Sequence, residues 1–226
     1  MANQKKTNEA LNVEDALTKS EAFLIKYKTI IVAAVVAIAV IIAGIVLFRS
    51  YYTLPREEKA QAALFRGQQY FEADDYEQAL NGDSIEYAGF IAVAEEYGGT
   101  KAGKLAKAYA GLCYAHLGQY EEAIKALNSF SANDRLVAPA LKAAAGNCYA
   151  NLGQYDKAAS LLLKAADEAD SESLSPIYLI QAGQLLVEQG KYDEAIQAYT
   201  KAKEKYPKSY ATGDIDKYIE QAKIKK

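Results

Sequence analysis

Leu117-Gly118-Gln119-Tyr120-Glu121-Glu122-Ala123-Ile124 is the stretch whose reading decides the fold. It returns as Leu152-Gly153-Gln154-Tyr155-Asp156-Lys157-Ala158-Ala159 and as Gln189-Gly190-Lys191-Tyr192-Asp193-Glu194-Ala195-Ile196. A looser copy, Ala73-Asp74-Asp75-Tyr76-Glu77-Gln78-Ala79-Leu80, precedes them. The four tyrosines stand 44, 35 and 37 residues apart. A phrase recurring at that interval means stacked units rather than one globular core. Glycine ends one helix because it enters the left-handed region at little steric cost. Tyrosine then opens the next helix with an apolar ring and a wet hydroxyl. Three residues later comes an alanine, small enough for a neighbouring helix to come close.

Seven residues before each glycine of the phrase stands another, at Gly111, Gly146 and Gly183, with Gly67 likewise before Asp74. These positions are mid-helix, where glycine costs roughly 0.5–1 kcal/mol relative to alanine. Close packing of paired helices is the compensation the pattern predicts. Tyr70, Tyr114 and Tyr149 follow three residues after the first three; Leu186 takes that place in the fourth unit.

This set resembles the tetratricopeptide repeat, a stack of antiparallel helix pairs. The last unit matches the family's pattern best, as Gly183, Gly190, Tyr192, Ala195, Tyr199, Ala202 and Pro207. The resemblance covers roughly residues 60–210. It implies an all-α solenoid that serves as a scaffold; a fold of this kind does not by itself name a function.

The 226 residues are 51% hydrophobic, with a formal charge of −3. That length suits one domain plus an extra segment. Without a basic block, nucleic acid is not expected as a ligand. Cys113 and Cys148 hold equivalent places in successive units. Equivalent places on stacked helices lie about 8–10 Å apart, too far for a disulfide, so both read as small packing residues.

Residues 1–28 read as a short tail with an amphipathic helix. Residues 1–8 are polar and expected to be irregular. From Asn12 onward, Val13, Leu17, Leu24 and Tyr27 recur near one face. This helix either leads, solvated, into a membrane or docks on a membrane partner. Ile30 to Phe48 is nineteen residues without a charge: thirteen Ile, Val, Leu or Phe, five Ala and Gly44. At 1.5 Å per residue the run spans about 28 Å, close to the hydrocarbon thickness of a bilayer. We read 29–49 as a transmembrane helix. The run is too long for a cleaved signal peptide and is followed by Arg49 rather than small residues. Lys19, Lys26 and Lys28 on one side balance Arg49, Arg56 and Lys59 on the other; Lys5 and Lys6 tip the count toward a cytoplasmic amino terminus.

Residues 50–59 read as a linker containing Pro55, and 60–210 as about four repeat units. The first unit is atypical. Its opening helix is expected near Glu57–Phe71, and its second, from Asp75, is broken by the turn signal Asn81-Gly82-Asp83-Ser84. A further helix is expected at about Ile85–Tyr97. Thr100 is read as the cap of the next helix, and Pro139 and Pro176 stand near the starts of later ones. A last helix at 214–222 covers the end of the stack, within a terminal segment 211–226.

The family's groove positions, carried onto this chain, are Leu105, Ala108, Tyr109, Leu112 and His116 in the second unit. In the third they are Ala140, Ala143, Ala144, Asn147 and Asn151, and in the fourth Ile177, Ile180, Gln181, Gln184 and Glu188. The lining is alanine-rich, nearly uncharged and dotted with amides. It suits an extended or helical protein segment, with Asn147, Asn151, Gln181 and Gln184 serving backbone groups. Alternatively, these side chains pack within a tightly wound superhelix. The lysines and arginines with which some relatives hold a carboxylate tail have no counterparts.

No enzyme is expected. One histidine does not assemble a catalytic set, and every glycine cluster serves a helix end or turn. Cys113, His116 and Cys148 sketch a zinc site without a fourth ligand; packing is the preferred reading, with no metal, cofactor or small-molecule substrate. The order of parts (short tail, one span, three to four repeats) resembles the bacterial YfgM-like family of ancillary translocon subunits. That resemblance implies an inner-membrane protein with periplasmic repeats. Its partners would be translocon subunits, a periplasmic chaperone or exported chains. A scaffold for envelope assembly or cell division, without a role in export, is the alternative.

Overall fold

The computed structural model describes residues 2–83, 85–130 and 134–226, with side chains from Phe23 onward apart from those gaps. Every regular element described is helical. By internal contacts the chain divides into two units, Met1–Pro55 and Arg56–Lys226.

In the first unit α1 spans Ala2–Phe48. The tail expected to be irregular at residues 1–8 is therefore helical from Ala2, as its Ala, Gln and Lys content permits. Met1, and the face drawn through Val13 and Leu17, fall outside what is described. The apolar run is almost wholly exposed, from Ile30 at 66% to Phe48 at 62%. Its best window has a mean hydropathy of 3.4, and none of it is buried among the described residues. It is the one helix among the described residues long and apolar enough to cross a membrane. Ring pairs flank the run: Phe23 with Tyr27 at 4.7 Å and Phe48 with Tyr52 at 5.0 Å.

Pro55 does not break the chain as a linker at 50–59 would. Arg49–Thr53 forms a π-helical turn, in which the Leu54 amide bonds the Arg49 carbonyl, and α2 follows at Leu54–Glu72. A proline lacks the amide for an ordinary helical bond, and its ring crowds the carbonyl four residues back. The wider π turn accommodates both demands. The division between the two units falls at Pro55.

The second unit is built of antiparallel pairs. They are α5 (Lys101–His116) with α6 (Tyr120–Asn128), α7 (Val137–Asn151) with α8 (Tyr155–Ala169), and α9 (Ser175–Glu188) with α10 (Tyr192–Lys205). The turns are alike. Gly118, Gly153 and Gly190 have φ of +75°, +72° and +72°. The next amide reaches back five residues to the carbonyl of Tyr114, Tyr149 or Leu186, at 2.8–2.9 Å. This double closure satisfies carbonyls that a helix end leaves orphaned. Tyr120, Tyr155 and Tyr192 are the first residues of their helices, and Ala123, Ala158 and Ala195 are fully buried.

The mid-helix glycines mark the closest approaches. A Cβ on Gly183 would lie 2.3 Å from the Tyr199 ring, one on Gly67 2.1 Å from the Tyr87 hydroxyl, and one on Gly111 2.8 Å from Leu127 Cγ. At Gly146 the nearest contact is looser, 3.3 Å to the Ala158 carbonyl oxygen and to Leu162 Cγ. Cys113 and Cys148 are free and buried, in separate clusters of the core. Burial raises both thiols, Cys113 to about 12, which keeps them protonated and inert.

The first pair departs from this pattern. After α2 the turn uses Asp74, at φ +58°, in place of glycine. Its closure is the same: Asp75 N–H reaches the Tyr70 carbonyl at 3.0 Å. Asp75 caps α3 (Tyr76–Asn81), accepting from the Gln78 amide at 3.2 Å. The next helix, α4, begins at Gly89 and ends at Tyr97, four residues later than the sequence suggests. Residues 85–88 are withheld from it by Asp83, whose Oδ1 accepts the amides of Ile85, Glu86 and Tyr87, each at 2.9 Å. Oδ2 accepts the Tyr70 hydroxyl at 2.7 Å. These bonds hold the carboxyl well below the usual carboxylate range. Ser84, part of the predicted turn, lies outside the described residues.

Thr100 caps α5, accepting from the Gly103 amide at 2.9 Å. The Glu57 carboxylate reaches the same helix start, taking the amides of Lys101 and Ala102 at 2.8 and 2.9 Å. Pro139 and Pro176 sit in the first turns of α7 and α9, buried. At the carboxy end α11 (Ile215–Lys225) buries Ile215, Ile219 and Ala222 against the last pair.

Candidate partner-binding groove

The first helix of each pair carries a stripe at helical spacing, and burial sorts the expected groove residues along it. Three of them belong to the core. Ala108 and Ala143 are 3% exposed and Ile180 is 9% exposed. Ala140 and Ala144 are half-buried. On α7 the stripe ends in two exposed amides, Asn147 and Asn151. Asn151 Nδ2 is turned back onto the Asn147 carbonyl at 2.9 Å, which leaves its oxygen outward. On α9, Ile177 is 40% exposed, with Gln184 and Glu188 exposed below it. Gln181 is half-buried, and its Oε1 is sealed from solvent without a donor among the described residues. An amide oxygen in that state is worth about 1–3 kcal/mol to any donor that reaches it.

On α5 the structure assembles something that spacing alone did not show. Tyr109 stacks on Phe90 at 5.1 Å and meets the edge of Phe71 at 5.3 Å. Its hydroxyl accepts from Gln68 Nε2 at 3.0 Å. His116 is exposed, with its ring flat on Tyr76 at 4.1 Å and edge-on to Phe71 at 5.9 Å. Leu105 packs beside this cluster, and Leu112 against the next. Thus Phe71, Tyr76, Tyr109 and His116 form an aromatic wall between the first and second repeats. Phe71 and Gln68 were absent from the expected groove. The available signal was that Phe71 follows Tyr70 at the end of α2, next to the Tyr76 of the repeat phrase.

The stripe thus divides between buried and exposed side chains. Alanines and Ile180 fill the superhelix, whereas Asn147, Asn151, Ile177, Gln184 and His116 face solvent. This surface can accept apolar side chains and bond a peptide backbone. Among the described residues no group of three His, Cys, Asp or Glu is placed to hold a metal ion. The units are cross-tied by exposed ion pairs, Lys191–Asp156 at 2.6 Å, Lys201–Asp167 at 2.5 Å and Lys205–Asp170 at 2.8 Å.

A search of curated proteins finds no match. The family model of the tetratricopeptide repeat-like domain matches residues 21–224, taking in the apolar part of α1 as well as every helix pair. With the glycine-closed turns and buried alanines recurring through those pairs, the chain belongs to the tetratricopeptide repeat-like domain family.

Proposed function

We propose that this protein is a membrane-anchored scaffold that holds protein partners beside a cell-envelope membrane. The observation that carries this reading is the union, in one chain, of a repeat surface and a long apolar helix with no buried part among the described residues. Exposed to water, thirteen large apolar side chains would drive aggregation; in lipid they contribute roughly 4–8 kcal/mol toward insertion. Anchoring confines the groove to a thin layer, which raises its effective concentration for partners there. Weak contacts from Asn147, Asn151, Gln184 and Ile177 then suffice.

The layout favours a bacterial inner membrane, with the amino terminus cytoplasmic and the repeats periplasmic. There the scaffold would act as an ancillary factor of the protein translocon, receiving exported chains or a periplasmic chaperone. Crosslinking in intact cells from photoreactive groups at positions 147 and 184 tests this. Channel subunits and exported chains among the products support it. Products drawn only from envelope-assembly or division machinery replace it with a scaffold outside export. Recovery of the whole chain in the soluble fraction removes the anchor.

A further inference from the structure

This inference rests on the anchored reading above. In the helix pairs, the starts of α5, α7 and α9 and the ends of α4, α6, α8 and α10 share one edge of the repeat unit; the glycine–tyrosine turns share the other. Contacts knit the first edge together. Glu57 holds the start of α5 through Lys101 and Ala102. Arg56 donates to the Glu96 carbonyl and lies over the Tyr97 ring at 5.6 Å. Gly98, Lys104 and Phe130 line a depression of about 380 Å³. Asp170, ending α8, accepts from Lys205 and Tyr206 at the end of α10. Arg56 comes eight positions after Phe48. Chain length alone therefore keeps the nearest part of this edge within about 28 Å of the end of the apolar run.

The two edges differ in chemistry. The turn edge exposes Glu121, Glu122 and Glu194, with Asp74 and Glu77 at its first turn; Asp193 there pairs with Lys226, and Lys157 is its exposed cation at the third turn. The other edge exposes its apolar groups further, Leu136 at 63% and Tyr210 fully, with Val137 at 42%, whereas on the turn edge Leu117 and Tyr155 are 37% and 42% exposed. Between Leu136, Val137 and Tyr210 stand exposed cations. Lys101, Lys104 and Lys208 make no ion pair among the described residues, and Arg135 lies near Asp170. Several acids of this edge are already engaged. Glu57 and Asp134 accept amides at the starts of α5 and α7, and Asp170 pairs with Lys205, while Glu95 and Glu172 stay exposed.

We infer that this edge lies on the bilayer, against a phospholipid surface containing anionic headgroups. Leu136, Val137 and Tyr210 enter the boundary between headgroups and acyl chains. The lysines and Arg135 extend their charged ends to lipid phosphates. The acidic turn edge faces away, because an anionic surface repels it.

The test uses the full chain reconstituted in phosphatidylcholine vesicles containing phosphatidylglycerol, with a fluorophore on one introduced cysteine: Leu136→Cys, Tyr210→Cys or Glu122→Cys. Cys113 and Cys148 stay unlabelled because they are buried with raised pKa values. Nitroxide-headgroup lipids should quench the probes at 136 and 210 several-fold more than the probe at 122. Combining Lys101→Glu, Lys104→Glu and Arg135→Glu should abolish that difference. Position 210 decides the matter, since a tether at Arg56 brings only the first repeat near the surface. If the chain resists carbonate extraction yet all three probes quench alike, the inference fails and the anchor stands. Full quenching after charge reversal, or equal quenching without phosphatidylglycerol, also overturns it. Release by carbonate overturns the anchor and, with it, this inference.

Discussion

The first repeat and the three that follow close the same turn by different chemistry. In the later units a glycine at positive φ ends the first helix, and the second helix then runs unbroken. In the first repeat Asp74 occupies the strained place, the second helix stops after six residues, and Asp83 gathers three amides and a tyrosine hydroxyl before α4 resumes. The later repeats rely on absent side chains; the first relies on one carboxylate. What is common to both is the backbone closure onto residue 70, 114, 149 or 186. The turn is therefore set by where its hydrogen bonds can go, and glycine is its lowest-cost occupant, not its cause.

The largest expected effect sharpens the comparison among close approaches. Gly183→Val drives a side chain into the buried Tyr199 ring and should cost about 3 kcal/mol. Gly146→Ala meets its neighbours at 3.3 Å, so a gain in helix propensity of roughly 0.5–1 kcal/mol should offset most of the crowding. Thermal melts followed by circular dichroism rank the two. Equal losses would mean that the third and fourth repeats do not differ as their contacts do.

Asp83→Ala comes next, and should lower the melting temperature by melting α3 and α4 in advance of the rest. Its pH dependence has a definite sign. The folded pKa is depressed, so the stabilisation is present above the unfolded value of about 3.9 and fades as pH falls toward the folded value. The variant should therefore lose the part of the wild-type acid sensitivity that lies below about pH 4. Parallel pH profiles would show that this carboxylate is not what holds the break.

Tyr87→Phe removes the hydroxyl that donates to the Ala79 carbonyl at 2.9 Å, but keeps the stacking on Tyr70 at 5.7 Å. A loss of about 1 kcal/mol is expected, confined to the first repeat by hydrogen exchange. The smallest effect comes from exchanging the turn residues. Gly153→Ala should cost about 1 kcal/mol in the left-handed region, and Asp74→Gly should stabilise by only a fraction of that, because Asp74 also accepts the Tyr76 hydroxyl. If Asp74→Gly proves the more disruptive, the Tyr76 contact matters more than backbone strain.

Much of this was legible in the chain. Periodicity located all four units, the glycines and alanines at their interfaces, and the Thr100 cap, because each depends on residues within one or two helical turns. The break at Asn81-Gly82 was visible as well; its width was not, since Asp83 reaches four residues forward and also across to Tyr70. Pro55 led to a linker reading because a local rule describes what proline forbids, while the π turn is a neighbour's accommodation. The burial of the stripe was half legible. A stripe shows which residues share a face, but only the stacking of three first helices decides that Ala108, Ala143 and Ile180 are covered while Asn147 and Gln184 stay open.

The repeated phrase and the uncharged run by themselves determined the all-α class, the family, and a helix with the length and composition of a span. Local steric preferences and apolar content carry that information without any partner. Tertiary structure alone decided the aromatic wall of Phe71, Tyr76, Tyr109 and His116, the seat of Glu57 on the start of α5, and the contrast between the two edges. Each joins residues dozens of positions apart, and their meeting depends on how helices stack rather than on what any segment prefers.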